Sequence, residues 1–278
     1  MGKFTLEILF HIIGIGSASG LIFKNDTLFV IGDNSGYLYE YQMNSKDLKR
    51  HELVPNPIEN TPKKEKADFE SMTIFQDTIY VFGSGSSPKR NGMITFDTHQ
   101  KKKVESNNLK NLYEVMQNFA AIKPEDFNLE GSVYNGENWY FFNRGNGPEA
   151  KNTLFTIEAK KLNEEFRLLS NDYKLPKIKG VRTSFTDAVL VDNKLYFLAT
   201  AENTQSTYAD GAILGSIIGR IDLGTMKIDF TKKISATNKF EGLTVFKKDN
   251  KKIEFLLCED ADSENLESTI YKLSLNIK

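Results

Sequence analysis

Four carboxylates recur in one local setting along the chain. Glu70-Ser71, Glu130-Gly131, Asp187-Ala188 and Glu241-Gly242 each set an acid before a small residue, and an apolar run follows. Ser19-Gly20 occupies the same place in a fifth segment. If the fold gathers these acids, they repel one another, and either their pKa values rise or a cation is recruited. Glu70, Glu130, Asp187 and Glu241 are therefore candidate ligands for a hard divalent cation. Ca²⁺, which takes about 6–8 oxygen ligands, is the cofactor such a ring would suit. Arg90 and Arg144, with Arg182 further along, are the alternative neutralisers. Glu70, Arg90, Glu130, Arg144, Asp187 and Glu241 together would then form a site for a small polar or anionic ligand. A third reading is architectural: each acid accepts backbone N–H bonds from the next segment and staples the fold.

Other chemistry is thinly represented. The chain has no G-x-S-x-G elbow, no phosphate-binding G-x-x-x-x-G-K-[ST] loop and no H-E-x-x-H pair. Ser84, Ser86 and Ser87 form a Ser-rich turn without a histidine at a matching position to act as base. His11, His51 and His99 are scattered, and Cys258 is alone, so neither a disulfide framework nor a thiolate zinc site is available. Asp260-Ala261-Asp262-Ser263-Glu264 resembles part of a calcium loop but lacks its glycine.

The elements that must position the acids form a repeat. After each acid–small pair comes an apolar strand, an Asx- or Gln-bearing turn and a second apolar strand. The turns are Asn25-Asp26, Gln76-Asp77, Asn135-Gly136, Asp192-Asn193 and Asp249-Asn250. Asx and Gly residues tolerate the left-handed backbone of tight hairpins. Position 19 leads to 70, 130, 187 and 241 in steps of 51, 60, 57 and 54 residues, and wrapping past the end back to 19 takes 56. Five near-equal steps that use the whole chain describe a closed ring rather than an open stack. The expected fold is an all-β, five-bladed β-propeller with four-stranded antiparallel blades, in a single domain over 1–278. The last repeat supplies only three strands, so Phe4–Ile13 is expected to close the ring from the N-terminus.

Two segments depart from the repeat. Asn56–Ala67 is polar and reads as a loop between blades. The 107–123 segment carries Leu109, Leu112, Tyr113, Met116 and Ala120 at helical spacing, and an amphipathic helix is expected there. It could plug the gap between the second and third blades or lie as a lid over the site. If it were instead a degenerate blade, the ring would have six.

Composition bounds the function. With 36 Lys+Arg against 37 Asp+Glu, the net charge of −1 excludes a nucleic-acid binder working through a basic field. Hydrophobic residues make up 40% of the chain, enough for a large core. The longest apolar run, Ile8 to Ile15, is interrupted by His11 and Gly14, far short of the ~20 residues a membrane-spanning helix needs. A soluble monomer is expected, cytoplasmic or, had a leader been removed, periplasmic or secreted.

Ser17-Ala18-Ser19-Gly20, Gly32-Asp33, Asp68-Phe69-Glu70-Ser71-Met72, Gly83 through Arg90 (GSGSSPKR) and Leu129-Glu130-Gly131 carry a family resemblance. At these points the chain is similar to an uncharacterised bacterial β-propeller family, a domain of unknown function. The recurrent acid-Gly start of a blade also resembles, more distantly, phytase-like esterase and SdiA-regulated propellers. That wider resemblance implies a Ca²⁺ site and phosphoester hydrolysis. Three functions are therefore carried forward: a binding propeller with a polar site at the channel mouth, a calcium-assisted phosphoester hydrolase, and a protein-interaction scaffold.

Overall fold

The computed structural model describes residues 3–204, 211–260 and 265–276. Most of the acid-rich 260–264 run lies outside the described residues. Five four-stranded antiparallel sheets form the molecule. Blade 1 comprises Gly20–Lys24, Thr27–Ile31, Tyr37–Gln42 and Leu48–Glu52. Blade 2 comprises Phe69–Phe75, Thr78–Gly83, Gly92–Asp97 and Lys102–Asn108. Blade 3 comprises Leu129–Tyr134, Asn138–Asn143, Asn152–Glu158 and Arg167–Tyr173. Blade 4 comprises Ser184–Val191, Lys194–Asn203, Ala212–Asp222 and Lys227–Lys233. Blade 5 comprises Phe240–Lys248, Lys252–Glu259 and Glu267–Asn276, and its outer strand is Phe4–Ile13. The fold is a five-bladed β-propeller.

Turn chemistry explains the hairpins. Asn25 and Asp26 both take positive φ (49° and 57°), the geometry of a type I′ turn, and Gln76 and Asp192 also sit in the left-handed region. At the seam, Phe4–Ile13 runs antiparallel to Glu267–Asn276 from Phe4 opposite Leu275 to Ile13 opposite Glu267. This pairing gives blade 5 its fourth strand and covers an edge that would otherwise offer unpaired backbone groups.

The first strand of each blade is innermost and packs on the first strands of both neighbours, blade 5 against blade 1 included. Its inner, channel-facing edge has no strand partner within its own blade, and side chains of the preceding blade bond to it. Thr73 Oγ1 accepts from the amide of Tyr134 at 3.2 Å, and Thr244 Oγ1 accepts from that of Phe23 at 3.0 Å. Close approach requires small residues here. A Cβ on Gly242 would lie 2.4 Å from Cys258 Sγ and 2.6 Å from a Leu21 methyl.

The inserted helix is Lys110–Ala120, shorter than the 107–123 expected because Asn107 and Asn108 end the outer strand of blade 2. Leu112, Tyr113, Met116 and Ala120 are buried with Phe82, Phe127, Trp139 and Phe155, so the helix fills the gap between blades 2 and 3. Tyr113 donates its hydroxyl hydrogen to the carbonyl of Gly83 at 3.1 Å. A short hairpin, Lys177–Ile178 with Val181–Arg182, precedes blade 4. The repeat pattern did not anticipate it. It takes up Arg182, which the sequence placed near the acidic ring. No helix among the described residues is long and apolar enough to cross a membrane.

Candidate functional site

In blades 2 to 5 the ladder between first and second strands slips near its start, whereas that of blade 1 is regular. The bulged residue is Glu70 in blade 2, Glu130 in blade 3, Thr186 in blade 4 and Glu241 in blade 5. A bulge leaves one residue unpaired and re-aims its side chain. The expected ring of Ser19, Glu70, Glu130, Asp187 and Glu241 therefore needs one correction. The residue equivalent to the three glutamates in blade 4 is Thr186, and Asp187 aligns with Ser71, Gly131 and Gly242.

The consequence is chemical. Asp187 turns both carboxylate oxygens to backbone amides, accepting from Ala188 at 2.7 Å and from Leu243 of blade 5 at 2.6 Å. It staples blade 4 to blade 5. Burial pushes its pKa well up, while the two amides pull the other way. The hydroxyls at the ring positions also act as staples. Ser19 donates to the carbonyl of Phe69 and Thr186 to that of Phe240, each at 2.6 Å.

The three bulged glutamates line a polar cavity of about 230 Å³ at the channel mouth. Around them stand Asp33, Asp68, Asn128, Arg144, Lys239 and Asp260, with Lys66 and Arg90 at one side. Three equivalent places per blade supply most of these groups. Asp68, Asn128 and Lys239 lie two residues before the bulge, and Asp33, Arg144 and Asp260 follow the second strand. Blade 4 supplies no charge from these places, since Ser184, Thr186 and Thr200 occupy them. Its contribution is Glu202, on the extended second strand.

The cations of the cavity are engaged. Lys66 bridges Asp33 and Asp68, the latter at 2.8 Å. Arg90 donates to Asp68 at 2.8 Å, to Ser86 at 2.9 Å and to the carbonyl of Lys63 at 2.9 Å. Arg144, 5% exposed, pairs with Glu130 at 3.0 Å and with Glu202, and stands 3.9 Å from Glu241. Lys239 bridges Glu241 at 3.0 Å and Asp260 at 2.7 Å. Surrounding carboxylates outweigh burial and hold the Lys66, Arg144 and Lys239 pKa values above their ordinary ranges, so all three stay protonated. Burial pushes Glu130 and Glu241 upward against those partners. The Nε of Arg144 is buried and has no acceptor among the described residues.

Glu70 is the exception. It is half-buried, lines the cavity, and among the described residues receives no hydrogen bond or ion pair. Burial and the charges of Asp68, Glu130, Asp33 and Glu241 all push its pKa well up. One oxygen each from Asp33, Asp68 and Glu70 lies within 4.8 Å of the others, a spacing that could hold a metal ion.

The structure thus gathers five of the six sequence-chosen residues at the cavity and sends Asp187 to a backbone role. Sequence reasoning passed over Lys66, Asp68 and Lys239 as site residues. A usable signal existed, because a charged or amide side chain stands two residues before every ring glutamate. The Ser-rich turn packs on the cavity wall, where Ser84 donates to Asp68 and bonds to Ser86 at 2.8 Å.

The profile of a family of unknown function, DUF6929, matches residues 14–275, the full set of blades apart from the closing strand. The chain belongs to this family. No curated protein matches its sequence. Among solved structures, the DUF6929 chain is similar to the major allergen Mala s 1 of Malassezia sympodialis, with a TM-score of 0.62, 11% identity and 95% of each chain covered. It is also similar to the glutaminyl cyclase of Myxococcus xanthus, with a TM-score of 0.56, 11% identity and coverage of 98% of this chain and 97% of that one. A luciferin-regenerating enzyme aligns with a TM-score of 0.51 and 7% identity over 98% of this chain and 95% of its own. At such identities these likenesses concern the fold alone.

Proposed function

We propose that this DUF6929 protein is a binding propeller that holds a small polar ligand in the channel-mouth cavity, with Glu70 as its anchor. One observation carries the reading. Glu70 faces a polar cavity without a partner, while Lys66, Arg90, Arg144 and Lys239 are each tied to other acids or to backbone. A carboxylate kept in that setting costs stability, and such costs concentrate where a ligand is received. The arginines serve this reading as wall and not as anion receptor, since carboxylates already engage both. A cavity of about 230 Å³ suits a molecule of monosaccharide size. The test is an NMR titration of the ¹⁵N-labelled protein with a panel of small polar compounds, CaCl₂ included. Shifts clustered at Glu70, Glu130 and Glu241 support the reading. A panel that leaves these signals unmoved, in a protein whose cavity is intact, refutes it.

The calcium-assisted hydrolase is the second reading, and the spacing of Asp33, Asp68 and Glu70 is what favours it. Ca²⁺ there would polarise a phosphoryl oxygen and acidify a water. Against it, the Lys66 ammonium already bridges two of the three acids, and Arg144, Lys239 or backbone amides engage Glu130, Glu241 and Asp187. A metal would have to displace Lys66 to gain enough oxygens. Measuring phosphomonoester turnover with Ca²⁺ and with EDTA checks this reading. Calcium-dependent turnover lost in Glu70→Gln would establish it.

A further inference from the structure

We propose that the half of the channel away from the acids is a second site, for a small neutral molecule with an apolar body and an oxygen acceptor. It lies outside the channel-mouth cavity and does not depend on how that one is read.

The inner strands build it. Past Gly20, Ser71, Gly131, Asp187 and Gly242, three consecutive residues of every blade (21–23, 72–74, 132–134, 188–190 and 243–245) line a cavity of about 320 Å³. No charged residue is among them. Leu21, Met72, Val133 and Leu243 give it buried apolar walls, and Phe23, Ile74 and Leu190 are half-buried further along the strands. Of the five residues next in line, only Lys24 carries a charge, and its ammonium is held by Asp77 and by the Gln76 carbonyl, each at 2.6 Å. An ion entering this cavity would shed its water without meeting a counter-charge, so a neutral ligand is favoured.

Hydroxyls supply the second observation. Thr73, Ser132 and Thr244, each at most 7% exposed, line the cavity. Each oxygen already accepts a hydrogen bond, from the Tyr134 amide at 3.2 Å, from Ser71 at 3.1 Å and from the Phe23 amide at 3.0 Å respectively. Each hydroxyl hydrogen is left without an acceptor among the described residues. Three such donors among apolar side chains call for an acceptor oxygen. Small-molecule sites pair mostly apolar walls with a few convergent polar groups, and this volume admits about ten non-hydrogen atoms. A ketone, ester or lactone of that size combines both features.

The experiment is a methyl-detected NMR titration of the full chain with four probes that share a phenyl body: acetophenone, toluene, benzoate and benzylammonium. Acetophenone is expected to shift the methyl signals of Leu21, Met72, Val133 and Leu243. It should bind at least about tenfold more tightly than either ion, and more tightly than toluene. Val189→Phe puts a ring into the cavity and should weaken acetophenone about tenfold or more. The order of the probes on wild type needs no variant. An ion that binds as tightly as acetophenone overturns the neutral class, and toluene binding as tightly overturns the acceptor. Shifts at Glu70 and Glu130 in place of these methyls, unchanged affinity in folded Val189→Phe, or no shift with acetophenone up to about 10 mM overturns the site itself. None of these results counts against a ligand at the acidic mouth.

Discussion

Arg144→Met removes the one guanidinium that three buried glutamates share. The methionine fills similar volume, so the loss is chiefly electrostatic. Glu130 keeps the 2.6 Å bond from the Asn128 amide, Glu241 keeps Lys239 at 3.0 Å, and Glu202 keeps the backbone amide of Gly211 at 2.7 Å. What is lost is the charge that opposes the upward push of burial on the Glu130 carboxyl, at 2% exposure. Breaking a buried ion pair by removing one partner costs about 3–5 kcal/mol. For a chain of this length that is a fall of about 10 °C in Tm. The deficit should depend on pH. Removing Arg144 raises the folded-state pKa values of Glu130 and Glu241 further above their unfolded values. A raised carboxyl pKa leaves stability intact below the unfolded pKa and loses it as pH rises toward the folded one. One proton retained across the window from pH ~7.5 down to ~5 recovers up to about 3 kcal/mol. Urea denaturation of both proteins at the two pH values measures this. A deficit of the same size at both, or no deficit at neutral pH, would refute the assignment of Arg144 as counter-ion to the ring.

Three further outcomes follow from the ring's construction. Asp187→Ala strips the acceptor from the buried amide of Leu243 and should cost about 2–4 kcal/mol in urea melts, with no change in binding at the cavity. Gly242→Ala drives a Cβ into Cys258 and Leu21 and should cost about 1–3 kcal/mol, partly recovered by Cys258→Ala, which makes room. Removing residues 1–13 bares the Glu267–Asn276 edge, so the truncated protein should self-associate more strongly than the full chain in sedimentation experiments.

The ring was legible because its signals are local and repeated. Asn25-Asp26, Gln76 and Asp192 mark hairpins, and the acid–small pair marks the crowded start of each inner strand. The closing strand followed from arithmetic, three strands left where four were needed. What escaped was register. A bulge moves the alignment by one residue, and Thr186-Asp187 cannot be told from Glu130-Gly131 by type, because both set a polar group before a small or short one. Lys66 and Lys239 escaped because a lysine beside a loop usually reads as solvated. Only the folded ring shows that carboxylates enclose them, those of blades 1 and 2 around Lys66 and those of blade 5 around Lys239. The hairpin over 177–182 is too short to carry a period.

The central claim is that Glu70 is held without a partner for a ligand's sake and contributes nothing to the fold at neutral pH. Its folded-state pKa is raised, so its contribution to stability is full below the unfolded carboxyl pKa and declines as pH rises through the folded value. Glutamine at that position has no such decline. The decisive measurement is the difference in unfolding free energy between Glu70→Gln and wild type, from urea melts at pH ~4 and pH ~7.5. The account predicts little difference at the lower pH and a variant about 1–2 kcal/mol more stable at the higher one. A variant less stable than wild type at pH ~7.5 would make Glu70 a structural carboxylate and contradict the account.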